Sequence, residues 1–243
     1  MPKVHRKIVP KAASLSSSSR KRRTPVTFSV DIGGSGIKAT LLNGDGTLVK
    51  KRLRIPTPEI ANPDIIIKQL EQLSKQLGTF DRIAVGFPGV VRNGVTRVAP
   101  NLAKEWKGYD FAQALEDKFS KPVRVLNDAD MHGFGAISGK DVELVLTLGT
   151  GVGTALFVDG TLVPNIEAGA ARIDGKALNK VGRKRWNKRL AKHIRKLEAL
   201  FNYDRLLIGG GNAKHVDIQN LSGNVTICSN LSGLLGGARV WGH

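Results

Sequence analysis

The sequence predicts an α/β protein of two lobes that face each other across a cleft. Three observations lead there. First, the order strand, glycine-rich turn, strand, Asp-Gly turn, strand over residues 26–55 ("VTFSVDIGGSGIKATLLNGDGTLVKKRLRI") returns over residues 142–163 ("VELVLTLGTGVGTALFVDGTLV"). The repeat is one of pattern rather than identity, which is the mark of a duplicated unit. Second, each repeat leads towards a helix with one apolar face. Third, glycine-rich turns follow hydrophobic strands at three places, "DIGGSGIK" (31–38), "LTLGTGVGTAL" (146–156) and "IGGGN" (208–212). The lobes are expected at 27–130 and 131–243, with a closing helix that packs back on the first lobe. Residues 1–26 form a basic, serine-rich tail of disordered composition.

Taken in order, alternation marks a strand from Val26 to Ile32, a second at "IKATLLN" and a third at "TLVKKRLRI". "NPDIIIKQLEQLSKQLG" is a helix: Asn62 stands at the N-cap, Pro63 at the first position and Gly78 at the close. Its Ile66, Leu70, Leu73 and Leu77 share a face. "RIAVGFPG" is a buried strand, "YDFAQALEDKFS" a helix, and "PVRVLNDAD" a strand with a polar end. In the second half, Trp186, Leu190, Ile194, Leu197 and Phe201 make an apolar stripe on a helix. "RLLIGGGN" and "NVTICSN" are strands, and "SGLLGGARVW" is the closing helix.

Charge narrows the partners. The chain has 243 residues with 38 Lys and Arg against 20 Asp and Glu, a net charge of +18. Such an excess attracts polyanions. It is concentrated in "KALNKVGRKRWNKRLAKHIRK" (176–196), which holds ten Lys or Arg and no acid. A solvated helix face ordinarily mixes signs, and this one does not. A single cysteine, Cys228, excludes an internal disulfide and a cysteine-built zinc site, and fits a reducing compartment. No run approaches the roughly 20 apolar residues of a membrane span.

Glycine turns let backbone N–H groups approach a phosphate closely. None of the three is a Walker A loop, and the first leads into a strand rather than a Rossmann helix. Asp31, directly before the first glycines, reads equally as a turn cap or as a ligand for Mg²⁺ beside a phosphate. "NDAD" (127–130) places two acids at a strand end. A carboxylate there can take a proton from an attacking hydroxyl, and it can equally cap a helix. The amide of Asn127 can meet a sugar hydroxyl with either face.

"VDIGGSGIKATLL", "VGFPGVV", "APNLAKEW", "VLNDAD", "LTLGTGVGTALFVDGTLVPN" and "IGGGN" occur in an order that resembles the ROK family of sugar kinases, and within it the polyphosphate-dependent branch. The resemblance covers roughly residues 27–240. It implies the actin/hexokinase-like (ribonuclease H-like) fold. It also implies phosphoryl transfer from polyphosphate, and also from ATP or GTP, to the 6-hydroxyl of glucose. Asp128 then matches the catalytic base. Asn101, Asn127 and Glu167 match sugar contacts. Asp31, Gly33, Gly34, Ser35, Gly36 and Lys38 match the first phosphate loop, with Asp31 toward Mg²⁺. Gly149, Thr150 and Gly151 match the second loop, and Gly209, Gly210 and Gly211 the third. A cytoplasmic homodimer without membrane or specific nucleic-acid partners is implied as well. The basic helix then reads as a polyphosphate track of Lys184, Lys188, Lys192, Arg195 and Lys196.

The chain departs from the family pattern at Ala170, where a histidine is expected, and in a shortened segment after it. His193 and His215 cannot be placed from sequence. Two alternatives stay open: an ATP-dependent kinase with an incidental basic surface, and a kinase-like protein that binds sugar or polyanion without turnover.

Overall fold

A computed structural model describes residues 23–99 and 102–242. The basic tail before residue 23 and Asn101 lie outside the described residues. The first half builds β1 (Thr27–Gly33), β2 (Gly36–Leu42), β3 (Leu53–Ile55), α1 (Pro63–Leu77) and β4 (Arg82–Phe87). A hairpin follows, β5 (Val90–Arg92) and β6 (Val95–Val98), then α2 (Phe111–Phe119), β7 (Val123–Asn127) and α3 (Asp128–Ala136). The second half builds β8 (Val142–Leu148), β9 (Val152–Val158), β10 (Thr161–Val163) and α4 (Gly175–Phe201). It closes with β11 (Arg205–Gly209), β12 (Val225–Ile227) and α5 (Ser232–Arg239).

The two halves share one topology. Their sheets run β3-β2-β1-β4-β7 and β10-β9-β8-β11-β12. In each, three antiparallel strands continue into two parallel ones. The repeated sequence pattern is therefore a repeated fold. One core packs α1 and α2 on the first sheet around Phe28, Leu70, Phe87 and Trp106. A second packs α4 on the other sheet through Trp186, Leu190, Ile194 and Leu197. This is the stripe read from sequence. The helix expected at 62–78 has its predicted cap: Asn62 Oδ1 accepts from Ile65 N–H at 3.0 Å, and Gly78 ends it at φ 110°.

Between the sheets α3 crosses α5, and Met131, Phe134 and Phe157 form a third core. The crossing is backbone-close. A Cβ added at Gly236 would lie 1.8 Å from the Met131 carbonyl oxygen, and one at Gly135 would lie 2.0 Å from that of Ser232. The glycines of α5 thus weaken its propensity but allow its packing. α5 lies against β1, β2 and β4, and Ser29 Oγ donates to the Leu234 carbonyl at 2.6 Å. Residues 130 and 131 both lie inside α3, a continuous helix, so the boundary drawn there divides an element that serves both halves.

The third strand is interrupted relative to its sequence pattern. Leu53–Ile55 forms the regular strand, Leu48 makes an isolated antiparallel bridge to Leu42, and Lys50, Lys51 and Arg52 stand exposed between them. The basic helix α4 is also broken at Gly182, whose φ of 73° and ψ of 161° are not helical. No helix among the described residues is long and apolar enough to cross a membrane.

Candidate active site

The site forms where β7 ends and α3 begins. Asn127, not an acid, caps the helix: its Oδ1 accepts from Ala129 N–H at 2.8 Å and Asp130 N–H at 3.2 Å. Its Nδ2 donates to the Gly89 carbonyl at 3.1 Å. Both ends of this amide are engaged with protein, which leaves one Nδ2 hydrogen for a ligand. Because Asn127 does the capping, Asp128 is the first residue of α3. Its side chain stands in the cleft between β4 and β9. A Cβ at Gly86 would lie 3.4 Å from Asp128 Cα, and one at Gly153 would lie 3.9 Å from Asp128 Oδ1. Burial pushes the Asp128 carboxyl up to about 7, Asp31 adds to the rise, the Ala129 N–H opposes it, and Glu167 and Asp130 contribute further.

Asp31 leaves β1 toward the same cleft. Its Oδ2 accepts from Lys38 Nζ at 2.6 Å, across the β1–β2 register. The first glycine loop meets the second at van der Waals distance: a Cβ at Gly34 would lie 3.6 Å from Thr150 Cβ and Oγ1. The second loop is tied to the third. The Gly149 carbonyl accepts from Asn212 Nδ2 at 2.9 Å and from Gly175 N–H at 3.0 Å. Asn212 N–H donates to the Leu148 carbonyl at 2.9 Å. Gly210 holds φ 86° with its α-carbon facing the Leu148 backbone, where a Cβ would lie 2.5 Å from the carbonyl oxygen. The structure thus brings Asp31, Lys38, Gly33 to Gly36, Gly149 to Gly151 and Gly209 to Gly211 around one cleft beside Asp128.

Glu167 lies exposed on the loop after β10, and electrostatically it faces both Asp128 and Asp130. Thr154 on β9 pins this loop. Its hydroxyl accepts from Ala168 N–H at 2.9 Å and donates to the Ile166 carbonyl. His193 on α4 donates from Nε2 to the Ala168 carbonyl at 3.1 Å, so a histidine does reach the loop that carries Glu167, from a place sequence could not show. Ala170 packs with the second core. Asn165 fastens the loop to the other half: its Oδ1 accepts from Val91 N–H at 3.0 Å and its Nδ2 donates to the Val91 carbonyl at 2.9 Å. Asp130 Oδ2 accepts from Asn165 N–H at 3.2 Å. The clue to Asn165 was "PN" before the expected glutamate, since asparagine tolerates its φ of 58°.

Among the described residues no group of three or more His, Cys, Asp or Glu could hold a metal. Asp31 is a carboxylate of the strand that leads directly into the first glycine loop. That fits Mg²⁺, which takes one or two carboxylates and draws its other ligands from phosphate and water. Lys184, Lys188, Lys192, Arg195 and Lys196 are all exposed and lie three and four residues apart on one side of α4. Lys184 and Lys188 border a groove of about 700 Å³ that Asp217, Asn220 and Leu221 close from the other side.

The ROK family model matches residues 27–171. The chain belongs to the ROK family. It is 32% identical over 209 residues to the polyphosphate glucokinase of Mycobacterium tuberculosis (strain CDC 1551 / Oshkosh), covering 78% of this chain and 79% of that one. The Mycobacterium leprae (strain TN) polyphosphate glucokinase is 31% identical over 238 residues, 87% and 73% of the two chains. The crystal structure of an inorganic polyphosphate/ATP-glucomannokinase from Arthrobacter sp. strain KM superposes with a TM-score of 0.80 at 28% identity, over 91% of this chain and 100% of that one. The fold of this ROK protein is the actin/hexokinase-like one that its motifs implied.

Proposed function

We propose that this ROK protein is a polyphosphate-dependent glucokinase. It moves the terminal phosphoryl group of inorganic polyphosphate, and secondarily of ATP or GTP, to the 6-hydroxyl of glucose. The observation that carries the reading is the placement of Asp128: a carboxyl with an unusually high affinity for protons, one element away from two glycine loops that meet at Gly34 and Thr150.

Asp128 accepts the proton of the 6-hydroxyl as its oxygen attacks the terminal phosphorus. The bond to the bridging oxygen breaks and the shortened chain leaves. A base poised near neutral pH suits that task, because it is free to accept yet basic enough to pull. Glu167, the remaining hydrogen of Asn127 and Asn101 orient the sugar, while Thr154, His193 and Asn165 hold the Glu167 loop in place. The loops at 33–36, 149–151 and 209–211 receive the donor through backbone N–H groups, and Lys38 offsets charge near the transferred group. Asp31 would hold Mg²⁺, which when bound would supply neutralising charge at the donor phosphates. Lys184, Lys188, Lys192, Arg195 and Lys196 guide the chain of phosphates. The same reading makes the enzyme a cytoplasmic homodimer, in keeping with its unpaired Cys228.

The test is glucose 6-phosphate formation with Mg²⁺, with long-chain polyphosphate or ATP as donor, at low and high salt. Strong polyphosphate turnover that falls steeply with salt is expected. Product from ATP alone would leave an ordinary sugar kinase. A folded protein that makes no product from either would be a binding protein.

A further inference from the structure

We propose that Arg54 is a donor-phosphate contact, extending the first phosphate loop outward along the edge of the first sheet. Three independent features place it there. In register, Asp31 pairs with Lys38 across β1 and β2, and Lys38 pairs with Arg54 across β2 and β3. Directly paired residues of neighbouring strands share a face. The three side chains therefore form one file, running from the cleft to the sheet edge with the order acid, cation, cation.

The second feature is how Arg54 is seated. Its Nη2 donates to the Ser35 carbonyl of the first loop at 3.1 Å. A Cβ added at Gly36 would lie 2.8 Å from both Nε and Nη2 of Arg54. The φ of Gly36 is not among the positive ones, so its lack of a side chain serves to admit the guanidinium. A glycine of the phosphate loop thus makes room for this arginine.

The third feature is charge. Lys38 is neutralised by Asp31, but among the described residues Arg54 makes no ion pair. Arg54 is thus the cation of the file without a counter-charge among the described residues, and a guanidinium presents a fork of N–H donors matched to phosphate oxygens. Basic residues also guard an edge strand against pairing with another sheet, which accounts for the exposed Lys50, Lys51 and Arg52. Arg54 is exposed as well, but it differs from them in seating its guanidinium over Gly36 and on the Ser35 carbonyl.

The inference rests on the polyphosphate reading, so binding is measured apart from turnover. Long-chain polyphosphate is titrated into the full chain at several salt concentrations, without glucose, for wild type, Arg54→Ala, Arg54→Lys and Lys121→Ala. Lys121 is an exposed cation beside the start of β7, at the opposite end of the sheet from the cleft. R54A is expected to lower the slope of log affinity against log salt by about one phosphate contact, with K121A unchanged. In turnover, R54A raises the donor KM about tenfold while the glucose KM holds, and R54K recovers only part, because a point charge cannot replace the fork. Equal slopes and donor KM values for R54A and K121A would overturn the role of Arg54. Wild type that binds polyphosphate but does not phosphorylate glucose would overturn the kinase reading and leave the binding comparison standing.

Discussion

The two halves of the molecule share a sheet order but treat charge differently. Among the described residues, four of the five ion pairs lie in the first half: Arg23–Asp81, Lys38–Asp31, Lys75–Glu71 and Lys118–Glu71. Helix α1 carries mixed signs, and Glu71, held by Lys118 and Lys75, is pulled down to about 2. Helix α4 follows the equivalent three strands but presents Lys184, Lys188, Lys192, Arg195 and Lys196 without one ion pair among the described residues. At the seam, α3 does the reverse and carries two acids, Asp128 and Asp130, neither in an ion pair among the described residues. Charges that only solubilise a helix find local partners. Those left over are the ones a ligand can complete.

The largest break in that comparison is at the seam. Asp128→Asn removes the unpaired acid while Asn127 still caps α3, so the fold should stand. Turnover is expected to fall about 10²- to 10⁴-fold, with glucose and polyphosphate affinity retained. The check is kcat beside a thermal melt. A kcat within about tenfold of wild type would remove Asp128 from the role of base.

A middle-sized effect comes from making α4 resemble α1. Lys184→Gln, Lys188→Gln and Lys192→Gln together delete three cations from the exposed side of the helix without touching its buried stripe. The slope of log polyphosphate affinity against log salt should shrink by about two to three. Glu71→Gln in α1 should leave the slope where it was. If both variants behave alike, the one-sign face of α4 is only a solvated surface.

Much of this was legible because periodicity and glycine placement are local. The β1–β2 and β8–β9 hairpins, the cap at Asn62 and the stripe from Trp186 to Leu197 all follow from spacing. The length of α3 was not legible, since Gly133 and Gly135 argue against a helix until Phe157 of β9 is seen packed on the first and α5 on the second. The β5–β6 hairpin carries a local signal in Asn93-Gly94, whose φ values of 51° and 79° suit a tight turn. The motif acids and glycine loops were found from sequence, but their supports were not. Thr154, Asn165 and His193 act through backbone contacts with a loop distant along the chain. Arg54 stands in a run of similar cations, and strand register against Lys38 with the seat over Gly36 distinguishes it.

The smallest and sharpest test concerns Asp130, a buried acid whose Oδ1 has no hydrogen-bond partner among the described residues while Oδ2 accepts from the Asn165 N–H. Burial pushes it up to about 7, the Asn165 N–H opposes the rise, and Glu167 adds to it. In the unfolded chain an aspartate releases its proton near pH 4. Between roughly pH 4 and 7 the folded state therefore holds a proton that the unfolded state has lost, and stability falls as pH rises across that window. Asp130→Asn keeps an oxygen for the Asn165 N–H and carries no charge at any of these pH values. It should melt level with wild type near pH 4 and above wild type at pH 8. It should also move the acid limb of the kcat/KM profile slightly downward, because Asp130 is one of the acids that raise Asp128. A melting difference that is the same at both pH values would mean that Asp130 contributes only its hydrogen bond, and that the acids at the seam are not held there at a cost in stability.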